Sequence, residues 1–156
     1  MSLCCENIAA RAGELVNPND VLIVHNLSGS PTLTAFLAAA RATRKHRVVL
    51  PGAAVFPDGS CLVPAGGLST CLSAQRHSVP VYVLAAFYKI TPFFVPDPMM
   101  VNPNKAPGVS FKHSASFCGL VEIPRPTYDH IPASLVTLYV SNSACILPSH
   151  VYRYRL

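Results

Sequence analysis

The chain has 156 residues, 51% of them hydrophobic and 12% charged, with a formal net charge of +5. An ordinary soluble domain carries about 25% charged residues, so this chain has too few to clothe its whole surface: either part of it meets another protein permanently, the favoured reading, or the chain is a poorly soluble fragment or diverged remnant, which composition alone does not separate. No apolar run approaches the roughly 20 residues of a membrane span, and Glu6, Arg11 and Glu14 break up any secretory leader; the expectation is one domain, residues 1–156, soluble and cytoplasmic.

Residues 3–15 have helix-forming composition, ended by the turn residues of N-P-N-D at 17–20. VLIV, residues 21–24, is a strand-length apolar run. It leads through His25 and Asn26 to the small-residue loop Ser28-Gly29-Ser30 and the helical stretch TLTAFLAAARATRK, with Ser30 placed to cap and Pro31 suited to the first turn. HRVVLPGAAVF predicts a second buried strand before the turn at Pro57-Asp58-Gly59. Residues 66–77, GGLSTCLSAQRH, predict a helix, and VPVYVLAAF at 79–87 a central strand, because so continuous an apolar run cannot have one face in water. Seven prolines between 90 and 127 forbid a regular helix or interior strand there, so this stretch reads as an insertion or docking loop. Leu135–Val140 reads as a last parallel strand delivering Ser141 and Asn142 to the sheet's carboxyl edge, with a helix starting at Pro148-Ser149. The sum is an α/β, Rossmann-like fold with a mostly parallel sheet of four to five strands and flanking helices.

Candidate chemistry is sparse. Cys4, Cys5, Cys61, Cys71, Cys118 and Cys145 lack the C-x-x-C spacing of zinc or redox sites and read as small buried hydrophobes in a reducing compartment. Arg41, Arg44, Lys45, His46 and Arg47 are the one basic cluster, placed for the last turn of a helix, where cations complement free carbonyls. No direct nucleic-acid contact is expected. The six histidines form no H-E-x-x-H or H-x-x-x-H pattern, and the seven carboxylates are isolated. The loop Ser28-Gly29-Ser30 has neither phosphate-binding glycine spacing. His25, Ser28, Gly29, Ser30 and Ser60 remain as a candidate anion or ligand edge, since ligands of open α/β sheets bind beyond the carboxyl ends of strands. No metal or cofactor is expected.

Three stretches resemble one family. NPNDVLIVHNLSGSPTLTAFLAAARATRKHRV is similar to its strand, small-residue loop and basic-ended helix. GAAVFPDGS, GGLSTCLSAQRH and VPVYVLAAFYKITP are similar to its GAD-like turn, helix, strand and F-K-x-(S/T)-P motif. YDHIPASLVTLYVSN with PSHVYR is similar to its carboxyl-terminal signature. The family is that of the alpha/beta/delta regulatory subunits of translation initiation factor 2B, nearest the beta subunit, in one superfamily with the methylthioribose-1-phosphate isomerases. The resemblance implies a non-catalytic, beta-like subunit of the guanine-nucleotide exchange factor for initiation factor 2. Such a subunit scaffolds the complex, senses factor 2 phosphorylation, and has a delta-like subunit as first partner. Where the isomerases have a catalytic Cys and Asp, the resemblance places His25 or a neighbour and Ser60 in this chain, and a hydroxyl does not replace an acid in proton transfer. A sugar-phosphate isomerase relative is the alternative. The implied subunit interface includes Tyr88, Lys89, Asp129, Pro132, Thr137, Ser141, Asn142 and Tyr152. The chain is truncated relative to the family: it passes from the first strand–helix unit to the GAD-like turn without an intervening α/β unit, and a sheet that has lost strands is expected either to repack or to expose an edge.

Overall fold

The computed structural model describes residues 2–16, 21–26, 29–39, 46–97, 100–106 and 124–154. Two helices, α1 (Ser2–Ala10) and α2 (Ala12–Leu15), replace the single expected helix, with a turn at Arg11 between them. They precede β1 (Val21–Val24), α3 (Pro31–Ala39), β2 (His46–Pro51), β3 (Ala54–Val55), β4 (Cys61–Pro64), α4 (Gly67–Arg76) and β5 (Val81–Leu84). After the proline-rich connection come β6 (Tyr128–Ile131), β7 (Leu138–Val140) and β8 (Cys145–Ile146), and the 3-10 helix Pro148–Tyr154 closes the described chain.

The main sheet has strand order β1-β2-β5-β7-β8. Its first four strands are parallel and β8 returns antiparallel along β7. Register follows the apolar pattern: Ile23 pairs with Val48 and Val48 with Val81, while Val24 pairs with Val49 and Val49 with Tyr82. These alternate sets feed two cores. On one face Ile8, Leu33 and Phe36 of the amino-terminal helices pack on Val49, Tyr82, Leu84 and Val140. On the other, Cys71 and Ala74 of α4 pack on Val48, Leu50, Val81 and Val83.

A second, three-stranded sheet, β3-β4-β6, was not foreseen. Cys61 pairs with Ile131 and Pro64 with Tyr128, all antiparallel. Its strands are two to four residues long, too short to display a period of their own. The nine-residue strand expected at 79–87 contracts to four. Val79 donates its N–H to Ala74 O as part of the turn that ends α4, and Phe87–Lys89 is a 3-10 helix. Likewise Ala133–Leu135 is 3-10, so the last parallel strand starts only at Leu138. His46 and Arg47 open β2 instead of closing a helix, because the β-branched pair that follows extends the ladder back to Val21 and Leu22. Arg41, Arg44 and Lys45 lie outside the described residues.

The steps β1-α3-β2 and β2-α4-β5 run the same way across the sheet, yet α3 and α4 cover opposite faces. The two crossovers therefore have opposite hands, and one is left-handed, against a strong general rule. Nor does the strand order reverse, so among the described residues the sheet has no topological switch point at which doubly wound folds hold ligands.

Candidate functional site

At the end of β1 the side chains are held by local chemistry. Ser30 Oγ accepts the N–H of Leu33 at 3.3 Å, so it caps α3, with Pro31 in the first turn. Gly29 donates its N–H to Asn26 O at 3.2 Å, and Asn26 takes φ 58°, the left-handed conformation that asparagine tolerates. Ser28 lies outside the described residues. The His25 ring turns away from this loop. Its Nε2 is 2.9 Å from Ala65 O, a carbonyl that can only accept, so Nε2 carries the proton. The same ring sits against Gly66, where a Cβ would meet Cε1 at 2.9 Å and φ is +95°. Residue 66 is thus glycine for two reasons, conformation and close approach.

Ser60 belongs to a different place. Its Oγ donates to Asp58 Oδ1 at 2.7 Å and its N–H to the same oxygen at 2.9 Å, an Asx turn closing the β3-β4 hairpin. Gly59, at φ +83°, fits under Pro148 O, which a Cβ would approach to 2.5 Å. Its carbonyl accepts the buried Tyr139 hydroxyl at 2.7 Å. From Ser60 to the Ala65 carbonyl that holds His25 is the full length of β4, about 16 Å of extended chain. The structure does not bring His25 and Ser60 together. Beside the hairpin, burial pushes the Cys61 thiol up to about 12 and the Cys71 thiol up to about 11. Burial also raises the Tyr139 phenol. These are neutral groups at physiological pH, unlike the thiolates of reactive cysteines. Cys4, Cys5 and Cys145 are half-buried, so only part of the cysteine set is fully interior.

The residues expected at a subunit interface divide into two groups. Asp129 is occupied internally: Oδ2 accepts the N–H groups of Gly66 at 2.8 Å and Leu68 at 3.1 Å, capping α4 from a residue more than sixty positions away. Thr137 Oγ1 accepts Val81 N–H at 3.0 Å, and Asn142 Oδ1 accepts Phe87 N–H at 2.8 Å. Ser141 is buried and its hydroxyl donates to Asn142 Oδ1 at 3.2 Å. Lys89 Nζ donates to Gly52 O at 2.8 Å, and burial pulls its ammonium below the usual lysine range. Pro132 precedes the 3-10 turn Ala133–Leu135 and is exposed. Tyr88 and Tyr152 are exposed. Their elements meet through the edge-to-face rings of Phe87 and Tyr154, 6.2 Å apart.

Two contributors escaped sequence reasoning. Asn102, in the proline-rich connection, is buried: its Nδ2 donates to Tyr128 O at 2.5 Å and its Oδ1 accepts Tyr128 N–H at 3.1 Å. With the pairing of Lys105 N–H to Arg125 O at 2.8 Å it ties the two ends of the connection to β6. Nothing in its local sequence separates it from other loop asparagines. The α4 cap was equally hidden, because the helix starts on Gly66-Gly67 with no side-chain cap of its own. Among the described residues no group of three or more His, Cys, Asp or Glu is placed to hold a metal ion, and no helix is long and apolar enough to cross a membrane.

Residues 46–148 match the Initiation factor 2 subunit family. The chain belongs to that family. It is 30% identical over 112 residues to translation initiation factor eIF2B subunit beta of Dictyostelium discoideum, a match covering 71% of this chain but 29% of the relative. Among solved structures, eIF2B beta from Chaetomium thermophilum superposes with a TM-score of 0.74 at 17% identity, over 99% of this chain and 53% of that one. A chain of the tetrameric eIF2B-beta2-delta2 complex from C. thermophilum gives 0.73 at 17% identity, over 97% and 58%. The 5-methylthioribose 1-phosphate isomerase of Pyrococcus horikoshii gives 0.70 at 10% identity, over 98% and 58%. The α/β fold is thus that of the eIF2B structures, and this chain spans less than a third of the length of the curated relative it matches.

Proposed function

We propose that the chain is a non-catalytic, beta-like regulatory subunit of the guanine-nucleotide exchange factor for translation initiation factor 2, acting in the cytoplasm. In this reading it scaffolds the complex and contributes to sensing of factor 2 phosphorylation, with a delta-like subunit as its first partner. The observation that carries the reading is the separation of His25 from Ser60. In this reading His25 and Ser60, taken by resemblance for the isomerases' catalytic pair, lie toward opposite ends of β4, each hydrogen-bonded within the chain. Acid–base catalysis needs both groups within reach of one substrate. The relatives named as subunit beta, and the fold shared with the beta2-delta2 complex, support the same direction. Tyr88 and Tyr152, on elements joined by the Phe87–Tyr154 contact, are the centre of the proposed partner surface, with exposed Phe93, Phe94 and Leu147. Aromatic residues on an exposed surface suit such a role.

The isomerase reading has one supporting observation, the fold likeness to 5-methylthioribose 1-phosphate isomerase. Affinity purification of the tagged chain from its native cells is expected to retain a delta-like subunit, and the double variant Tyr88→Ala, Tyr152→Ala to lose it. Calorimetry with ribose phosphates is expected to give no binding heat. A chain that purifies without sister subunits and turns over a phosphosugar overturns the proposal.

A further inference from the structure

We infer that the open edge of β1 is a second association surface, on which another copy of this chain docks by antiparallel pairing of β1 with β1. This does not rest on the reading above and involves other residues. β1 is the outermost strand of the main sheet, and among the described residues no strand pairs with its outer side. Natural edges are blunted by charge, proline or bulges. Val21–Val24 has none of these. The opposite hands of the two crossovers explain why the edge is bare on one face. α3 covers the side carrying Leu22 and Val24, while among the described residues the core under α4 includes no residue of β1. There Val21 is 39% and Ile23 45% exposed. Between them and α4 lies a trough of about 480 Å³ floored by Ile23, Val48, Ala74 and Val79, with His77 at the rim and no Asp, Glu, Lys or Arg in its lining.

The occupant follows from this pattern. A twofold axis perpendicular to the sheet keeps each face on its own side, so pairing centred on Leu22 sets Val21 opposite Ile23 of the second copy, and the reverse. The four exposed aliphatic side chains then form one cluster on the α4 face, the favourable cross-strand arrangement. An isologous contact must be self-complementary, and an uncharged edge meets that condition even in a chain of net charge +5. A partner selected by charge would find no charged side chain within Val21–Val24 to read. Four residues bury less than the roughly 1,000 Å² of a stable interface, so the dimer is weak and dissociates on dilution.

Sedimentation equilibrium of the full chain across a concentration series tests this. The wild type is expected to shift from monomer to dimer. Ile23→Lys is expected to weaken the dimer by about a hundredfold, because it sets like charges across the seam. Tyr88→Ala with Tyr152→Ala is expected to leave it unchanged. Hydrogen exchange on the wild type gives a second reading that needs no variant: amides of Val21–Val24 become slower as concentration rises. A monomer at every concentration, self-association indifferent to Ile23→Lys, or exchange in β1 independent of concentration overturns the inference. A dimer lost only in the tyrosine variant overturns it too, and assigns association to the other surface.

Discussion

β1 and β5 are two strands of nearly the same composition, VLIV and VYVL, in one parallel sheet. Every residue of β5 is buried, whereas β1 alternates exposed and half-buried. β5 has a strand on each side and packed side chains above and below it. Among the described residues β1 has one neighbour, and only its face under α3 joins a core. An apolar run therefore reports that a strand is at home in a sheet, while its neighbours decide how much of it is dry. The same division separates residues 46–148, which match the family, from the amino-terminal layer that holds to the sheet through one face.

Several substitutions can break or sharpen this contrast. The largest effect is expected in the amino-terminal layer itself: Phe36→Ala, at a fully buried side chain, should cost about 4 kcal/mol in denaturant unfolding. A cost near zero would mean that α3 is not docked and that the contrast is far sharper. Alkali probes the opposite region. The Cys61 and Cys71 thiols have folded pKa values raised above the ordinary 9.0, to about 12 and about 11. Their contribution is whole below pH 9 and is lost as pH rises toward those values, since the unfolded thiols ionise first. Together they should remove about 3 kcal/mol by pH 10, measurable as a falling urea midpoint, and Cys71→Ser should remove roughly half of that slope.

Asp129→Ala deletes a remote helix cap and should cost about 2 kcal/mol, with Asp129→Asn milder. A thermal midpoint that does not move would show that α4 starts without help from β6. Val83→Ala in β5 should cost about 2 kcal/mol, against less than about 0.5 for Val21→Ala in β1. Equal costs would mean that β1 is covered in solution. Ser30→Ala, at the cap of α3, should cost about 1 kcal/mol, read from the same unfolding curves.

The parallel strands, α3 with its Ser30 cap, and α4 were legible because their signals are local: apolar runs of strand length, a capping hydroxyl before proline, a small-residue helical stretch. The second sheet was not, since Ala54–Val55, Cys61–Pro64 and Tyr128–Ile131 are strands only through pairing with one another across a long gap. Position His25 was correctly placed at a strand's carboxyl end, but its engagement with Ala65 O depends on where α4 begins. Ser60 and Asp129 were legible as residues of interest and illegible in role. One is locked in its own hairpin, and the other finishes a helix it does not neighbour in sequence. Such long-range hydrogen bonds leave no periodicity for a sequence to display.

The remote capping of α4 carries a consequence for how the protein is made. On a ribosome the segment Gly67–Arg76 emerges long before residue 129 is translated, and at about 5–20 residues per second the nascent helix waits several seconds with its first turn open. Only when Asp129 arrives do the amides of Gly66 and Leu68 gain their acceptor, so synthesis must run more than fifty residues past the helix before this part of the molecule can close.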